Sequence, residues 1–442
     1  MNMILNPKGL SLNRPATIKT MSTAPRSNQE QLPNPWGLSS LRMQVALLAL
    51  MQGLLLVNNV TLIAINGLVG FMLADNKLMA TLPVTGYVLG GAVWSMPAAF
   101  IMKRYGRRVG YTLASIVAFC GALIAWYAVS QKNLALLCAA TFVCGFYSAF
   151  GASIRFAAAD AADAYKPSFK ARAISLVLAG GILGGVVGPE VSKWSRTWLD
   201  AQFAGTYLTL AGFAILGGLL AQLLRLPQTK ILSSDAPARP LAEILRQPAC
   251  WFAIACAALA YGTMNLLMVA TPLAMQACKH PYAFAALVLE WHVIGMFAPG
   301  LFTGNLIGRF GILPIIVTGC VLMLISVLIA LSGIDLMHFI AGLALLGVGW
   351  NFMFTGGTTL LTTCYKPSEK NKVQGFTDLC VFTVMVTSSA SSGALLYTNG
   401  WSLLNMLSAP FMVLVLLGAL WLASKIGWRI GIVQPALSVK AA

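Results

Sequence analysis

Long apolar segments separated by short polar connectors dominate the sequence from residue 41 onward. Each segment supplies the ~20 residues that a helix needs to cross ~30 Å of hydrocarbon, and only helices satisfy their own backbone hydrogen bonds there. The pattern therefore predicts an all-α integral membrane protein with twelve spanning helices in two sets of six. The first set covers 44–74, 79–102, 109–130, 134–158, 173–192 and 205–224, and the second covers 249–275, 281–307, 312–332, 338–363, 373–397 and 402–424.

The polar stretches divide the chain into two bundles, a linker and two tails. Residues 41–224 and 249–425 are the predicted six-helix bundles, and 225–248 is the cytoplasmic linker between them. Residues 1–40 are polar and basic and lack the apolar core of a signal peptide, although their shortage of acids leaves a transit peptide open. We interpret 1–40 as a disordered tail and 426–442 as a second tail, both cytoplasmic.

Charge sets the class of protein and its orientation. Of the 442 residues, 58% are hydrophobic and 9% are charged, against about 25% charged in soluble domains. The formal charge of +17 would indicate nucleic-acid binding in a soluble protein, but these basic residues lie in connectors, and we expect no nucleic-acid partner. With both ends cytoplasmic the positive-inside rule is obeyed. The connectors then on the outer side keep only Lys77, Lys132, Lys193, Arg196 and Lys279.

The two predicted bundles are related in sequence. The segment 165–172 after helix 4 (YKPSFKAR) is echoed by 365–372 after helix 10 (YKPSEKNK). Likewise 104–106 after helix 2 (RYG) is echoed by 309–311 after helix 8 (RFG). Pseudo-symmetric halves of this kind are typical of transporters that expose a central site alternately to the two sides.

The motif after helix 2 resembles the helix 2–3 signature of the major facilitator superfamily, G-x-L-x-D-R-x-G-R-R. Arg104, Gly106, Arg107 and Arg108 match it, whereas Lys103 stands at the aspartate position. The resemblance implies the family's fold, secondary transport, and a role for this motif in closing a cytoplasmic gate. We assign the predicted gate to Lys103, Arg104, Gly106, Arg107, Arg155, Asp160, Arg309, Gly311 and Asp378.

Lys103 cannot form the ion pair that the family's aspartate forms. Asp378 lies about one and a half turns into helix 11, too shallow for a central site but suited to receive Lys103 at the inner surface. Arg155 and Asp160 are expected at the inner end of helix 4, where Asp160 can pair with Arg107. Our hypothesis is that Lys103–Asp378 and Arg107–Asp160 hold the gate closed when the protein is open to the outside.

A second motif lies in helix 5, where Gly180, Gly184 and Gly188 repeat at intervals of four and Pro189 follows. The pattern resembles the G-x-x-x-G-x-x-x-G-P motif of the family's drug:proton antiporter branch and implies proton-coupled export. The alternative is a stripe of small residues that lets another helix approach closely.

Ionisable residues within a bilayer are functional candidates because they are costly there. Glu290 lies about 13 Å from Pro281 along helix 8, near the membrane midplane, and is our candidate for proton coupling. His292 is about 200° further around the helix and cannot share that face.

Amides and aromatic residues at mid-depth in helices 1, 4, 7 and 10 predict a cavity for a neutral or aromatic solute. Interhelical hydrogen bonding is the alternative for any one of them. No lysine or arginine is expected at that depth in these helices, which disfavours a strongly anionic solute. The predicted cavity residues are Asn58, Asn59, Tyr147, Asn265, Trp350 and Asn351.

The function predicted from the sequence is proton-coupled efflux of a small organic molecule by a monomeric plasma-membrane transporter. The alternative is an importer of a metabolite or vitamin, by symport or uniport. An enzyme is not indicated, because no HExxH, GxSxG or P-loop motif occurs. Nine cysteines without a CxxC and three histidines without ligand spacing indicate no metal site and no cofactor.

Overall fold

The computed structural model describes residues 38–151, 153–166, 169–226 and 239–428. The predicted tails lie almost wholly outside the described residues, and so does the middle of the predicted linker. Every regular element in the described part is helical.

The first half contains seven helices. Its predicted helix 4 is divided into two parts, α4 and α5, which together fill one candidate span. The bounds are α1 Leu38–Leu73, α2 Leu82–Tyr105, α3 Arg107–Ser130, α4 Leu134–Gly151, α5 Ile154–Tyr165, α6 Lys170–Ser195 and α7 Ala204–Gln222.

The second half repeats this order after a short helix in the linker. Its predicted helix 8 is divided where Pro299, which lacks an N–H donor, interrupts the backbone ladder. The bounds are α8 Leu241–Leu245, α9 Pro248–Ala277, α10 Tyr282–Phe297, α11 Gly300–Phe310, α12 Ile312–Ser332, α13 Leu336–Thr362 and α14 Lys370–Ile426.

Eleven stretches of the described residues are long and apolar enough to cross a membrane, and the last of them holds two helices. Straight, the 57 residues of α14 would extend about 85 Å, far more than the ~30 Å of a bilayer core. The chain turns at Gly400, whose φ of 75° favours glycine. The predicted twelve-helix fold is confirmed.

Two glycines make equivalent turns in the two halves. Gly106 joins α2 to α3 with φ 86°, and Gly311 joins α11 to α12 with φ 96°. Their N–H groups cap the preceding helices by donating to Met102 O at 3.0 Å and Ile307 O at 2.8 Å. The repeated Arg-x-Gly motif is therefore a repeated turn, because glycine adopts these dihedral angles without strain.

The halves contact each other at one end, which we call the outer end, where α1 and α9 finish. The opposite end, where the linker lies, is the inner end. Gly393 N–H donates to Thr81 Oγ1 at 3.3 Å, and the hydroxyls of Ser192 and Tyr282 are 2.5 Å apart. Among the described residues, the hydrogen bonds and ring contacts between the halves all lie toward this end. The conformation is therefore closed at the outer end and open toward the inner end.

Candidate substrate-binding site

Three aromatic side chains, Tyr261, Trp350 and Phe354, form what we call the aromatic corner. Trp350 and Phe354 lie one turn apart on α13 and so share a face; their ring centroids are 5.2 Å apart and their planes differ by 8°. Tyr261 of α9 meets both rings edge-on, at 5.2 and 5.3 Å. The Trp350 Nε1–H is buried without a hydrogen-bond partner. Trp350 is 6% exposed, whereas Tyr261 and Phe354 are partly exposed, so the corner combines accessible ring surface with a donor that is buried and unpaired.

Arg155 and Asp378, both assigned to the gate from the sequence, bring opposite charges toward the aromatic corner from opposite halves, and Asp378 is linked to the corner through Arg155. Both side chains are exposed, and the charge of Arg155 interacts electrostatically with Asp378 and with Tyr261. Since Arg155 belongs to the first half and the others to the second, the three groups face one another across a space that water reaches. The pair adds no net charge but supplies both donors and acceptors, which suits a neutral polar solute.

The division of helix 4 sets the position of Arg155. Ser153 lies between α4 and α5, where its hydroxyl donates to Phe150 O at 2.7 Å and lies 2.9 Å from the Tyr111 hydroxyl. Arg155 follows in the first turn of α5, and its charge interacts electrostatically with Tyr261. Tyr261 lies about 20 Å along α9 from Pro248, the inner end of that helix. The charge of Arg155 thus acts on groups of the C-terminal half, and the expectation that helix 4 carries no cation at mid-depth stays a prediction.

The predicted cavity residues of the first half differ in how far their polar groups are already bonded. The Tyr87 hydroxyl donates to Asn59 Oδ1. Asn58 is buried and its Oδ1 has no partner, so it keeps a free acceptor. Tyr147 is only 7% exposed and packs among buried apolar side chains.

The two predicted amides of the second half are bonded between helices. Asn265 Nδ2 of α9 lies 2.9 Å from Ser388 Oγ and 2.7 Å from Ser389 Oγ, both on α14. Asn351 donates to Met296 O at 2.7 Å and accepts from Thr303 Oγ1 at 2.7 Å, so it bridges the division of helix 8. Both amides are already occupied in holding helices together.

The predicted gate residues are only partly in contact with one another. Arg107 forms an ion pair with Asp160, and its guanidinium also donates to Ser153 O at 3.4 Å. Both residues belong to the first half and are paired while the inner end is open, so this pair does not mark the closed gate as the hypothesis requires. Lys103 and Asp378 form no ion pair in the part of the chain that the structure describes. This is consistent with an inner end that is open.

The repeated arginines of the gate motif lie in equivalent surroundings. The Arg104 guanidinium is 5.4 Å from the ring centroid of Tyr105, and that of Arg309 is 5.2 Å from the ring centroid of Phe310. The pseudo-symmetry predicted from the sequence thus extends to cation–π contacts at the ends of α2 and α11.

Comparison with known sequences shows the family to which this chain belongs. The Major Facilitator Superfamily profile matches residues 45–298 and 255–429. The chain belongs to the major facilitator superfamily. It is 39% identical to the riboflavin transporter RfnT of Brucella anthropi over 381 residues, 85% of this chain and 94% of that protein. It is 26% identical to the uncharacterised MFS-type transporter YddS of Bacillus subtilis, over 80% of this chain and 85% of the relative.

Solved structures agree on the fold. A bacterial homologue of the human lysosomal transporter Spinster, inward-facing and unoccupied, has a TM-score of 0.66 at 13% identity and covers 91% of this chain and 100% of its own. A variant of the nucleoside transporter NupG has a TM-score of 0.68 at 15% identity. The match covers 86% of this chain and 99% of the NupG chain. Membership of this superfamily makes the chain a transporter of small molecules rather than an enzyme.

The glycine stripe of this superfamily member packs against α1. A Cβ on Gly180 would overlap Ala49 O, and one on Gly184 would overlap Gly53 O. A Cβ on Gly188 would lie 3.0 Å from Thr61 Oγ1. Helix α6 continues through Pro189 to Ser195. The stripe therefore allows close approach of α6 and α1, whichever way a solute moves.

Glu290 lies at an interface between the halves rather than in the aromatic corner. It is 8% exposed on α10, and its carboxyl interacts electrostatically with that of Glu190 on α6. His292 is turned away toward α13, where its Nδ1 lies 2.7 Å from Leu343 O, as the helical spacing predicts.

Sequence reasoning missed Tyr261, Phe354 and the proximity of Glu190 to Glu290. The spacing of Phe354 from Trp350 was a usable signal, because residues four apart share a helix face. Nothing in the sequence indicates which residue of α9 meets that face.

Proposed function

We propose that this superfamily member carries riboflavin, or a vitamin with a similarly flat ring system, into the cell. The observation that supports the proposal is the 39% identity to a riboflavin transporter over 85% of this chain. Export was predicted from the glycine motif, and it loses that support because close packing against α1 accounts for the motif.

The chemistry of the candidate site suits this class of solute. Riboflavin is uncharged, with a planar tricyclic ring, a polar ring edge and a hydroxylated side chain. Ring surface at Trp350 and Phe354 can stack on the planar system. Arg155 donates and Asp378 accepts hydrogen bonds, which fits a polar edge that has both donors and acceptors.

Transport in this proposal follows alternating access between two conformations. In the present one the outer end is closed, and solvent reaches Arg155 and Asp378 between the halves. We place the inner end in the cytoplasm, with both termini, because the basic connectors lie on that side. The monomer in the plasma membrane is the proposed functional unit, and a proton gradient acting through Glu290 is the proposed driving force.

Uptake by purified protein tests the proposal. Proteoliposomes with an inward pH gradient should accumulate radiolabelled riboflavin, and unlabelled riboflavin should compete with it. Trp350→Ala should lower uptake, whereas Lys425→Gln, a change of an exposed residue at the inner end, should not. Absence of uptake, with extrusion from inverted vesicles instead, would reverse the proposed direction; absence of both would remove riboflavin as the solute.

A further inference from the structure

The contact between α6 and α10 is an interface between the two halves. A Cβ on Gly185 would overlap the Val293 side chain, so the helices touch closely there. Nearer the outer end, the Ser192 and Tyr282 hydroxyls are 2.5 Å apart, and the Arg196 guanidinium lies 5.2 Å from the ring centroid of Tyr282. In the present conformation, with the outer end closed, α6 and α10 are therefore in contact from Gly185 to Ser192.

Two acids, one from each half, meet in this interface. Glu190 of α6 lies between Gly185 and Ser192, which contact Val293 and Tyr282 on either side of Glu290, and the two carboxyls interact electrostatically. The Glu290 side chain is more than nine-tenths buried, and its Oε1 has no hydrogen-bond partner. Glu190 is 47% exposed, and Lys193 Nζ is 2.6 Å from its Oε1. The buried carboxyl of Glu290 thus faces the partly hydrated carboxyl of Glu190.

The number of protons determines whether these acids attract or repel. Ionised carboxylates only accept hydrogen bonds, so two of them cannot bond to each other, whereas a carboxylic acid donates to a carboxylate. With one proton present, Glu190, Glu290 and Lys193 sum to no net charge. Without that proton, two negative charges face each other and only one is compensated, which is unfavourable for a buried group.

We propose that Glu190 and Glu290 form a proton-binding site shared between the halves, and that its occupancy holds the outer end closed. A hydronium ion in the surrounding water donates the proton: one of its O–H bonds breaks as an O–H bond forms on one carboxylate oxygen, and a water molecule is left. Loss of the proton separates α6 from α10 and opens the outer end. The site rests on the proposed function for the coupling role of Glu290, and it deepens that function by adding Glu190 as the second carboxyl and the closed outer end as the state that the proton stabilises.

Few other charges act on the pair. Lys193 is the charged neighbour on α6, and Arg196, directly after the end of α6, contacts the ring of Tyr282. His292 on α10 is directed at α13. In the described parts of α1, α5, α7, α9, α11 and α13, no side chain contributes a further charge interaction to Glu190 or Glu290. A change in pH therefore acts on this interface through the two carboxyls.

Distances across the outer end test the proposal without any solute. Spin labels on non-natural amino acids at Gln131 and Met337, both exposed at the outer end, report the separation of the halves in lipid nanodiscs. In the wild type, acid should favour the short distance and alkali the long one. For one proton, the closed-to-open ratio should change by up to about tenfold per pH unit.

Substitutions separate this proposal from a general effect of pH. In Glu290→Gln the amide donates to Glu190 without a proton, so the outer end should stay closed at every pH. Glu190→Gln should also keep the outer end closed at every pH. Because Glu190 is half-exposed, this variant tests the proposal even if Glu290→Gln does not fold. Asp335→Asn removes an exposed acid at the outer end and should keep the wild-type response.

Two results would overturn the proposal. One is a wild-type distance that does not change with pH; the other is an unchanged pH response in both Glu190→Gln and Glu290→Gln. Either result would also remove Glu290 as the proposed route of the driving force. Riboflavin exchange at equal pH on the two sides does not depend on that force, so failure of this site and failure of riboflavin as the solute are distinguishable.

Discussion

The guanidinium of Arg239 donates hydrogen bonds to both carboxylate oxygens of Glu369, at 2.8 Å each. Glu369 is fully buried and also accepts from Lys366 N–H at 2.9 Å. The equivalent position in the repeat of the first half is Phe169, an apolar residue. The Arg239–Glu369 ion pair therefore holds the linker against the second half. The first half cannot form an equivalent pair, because Phe169 has no charge.

The first prediction is that Glu369→Gln lowers the melting temperature of the purified protein. The amide cannot accept two charge-assisted hydrogen bonds, and the buried Arg239 contact loses its counter-charge. Thermal unfolding followed by tryptophan fluorescence measures the change. Glu243→Gln changes an exposed residue of the same linker and is the control. An equal fall in melting temperature in both variants would contradict a specific role of the Arg239–Glu369 ion pair.

The second prediction is that this stabilisation disappears in acid. The hydrogen bonds from Arg239, followed by the Lys366 N–H, hold the pKa of Glu369 well below its usual range. A depressed pKa gives stability that is present above the unfolded value, about 4.3, and is lost as pH falls through the folded value. The melting difference between wild type and Glu369→Gln should be constant above about pH 5 and shrink below about pH 4. A difference that grows in acid would contradict it.

Helix positions were predictable from the sequence, because hydropathy and helix length are local properties. Helix α12 was predicted at 312–332 and runs Ile312–Ser332, and the turn at Gly400 falls in the predicted connector. Polar side chains were not predictable in the same way. Asn265 and Asn351 have the depth expected of cavity residues, yet their hydrogen-bond partners lie on helices that only the tertiary packing brings close.

The third prediction concerns the contact of α6 with α1. Gly184→Ala should abolish most transport while the protein still inserts, because its Cβ would meet the backbone oxygen of Gly53 and backbone cannot move aside as a flexible side chain can. Gly212→Ala is the matched control, since nothing lies within 4 Å of a Cβ there. Normal uptake by Gly184→Ala would show that this contact tolerates separation.

The fourth prediction concerns the aromatic corner. Trp350→Ala should raise the KM for riboflavin about two- to twelvefold, because aromatic stacking contributes about 0.5–1.5 kcal/mol beyond area burial. Trp350→Phe should recover part of this loss, since it keeps a ring but not the Nε1–H donor. Uptake kinetics in proteoliposomes measure both. An unchanged KM in Trp350→Ala, in protein of unaltered melting temperature, would place the solute elsewhere.

The last prediction concerns Lys103 and Asp378, which the sequence pairs when the inner end closes. In the present conformation Asp378 interacts instead with the charge of Arg155, so the hypothesis requires Asp378 to exchange Arg155 for Lys103 when the inner end closes. Partly exposed ion pairs contribute about 1 kcal/mol or less, which changes a two-state ratio by up to about fivefold. Lys103→Gln should therefore lower the inner-closed population by up to about that factor.

Spin-label distances across the inner end measure this population. Lys103→Arg keeps the charge and should behave as the wild type. Arg155→Gln removes the competing partner, so it should raise the inner-closed population, and it should leave the effect of Lys103→Gln intact when the two are combined. If Lys103→Gln has no effect in the Arg155→Gln background, where Asp378 is free to pair with Lys103, then closure of the inner end does not use this pair.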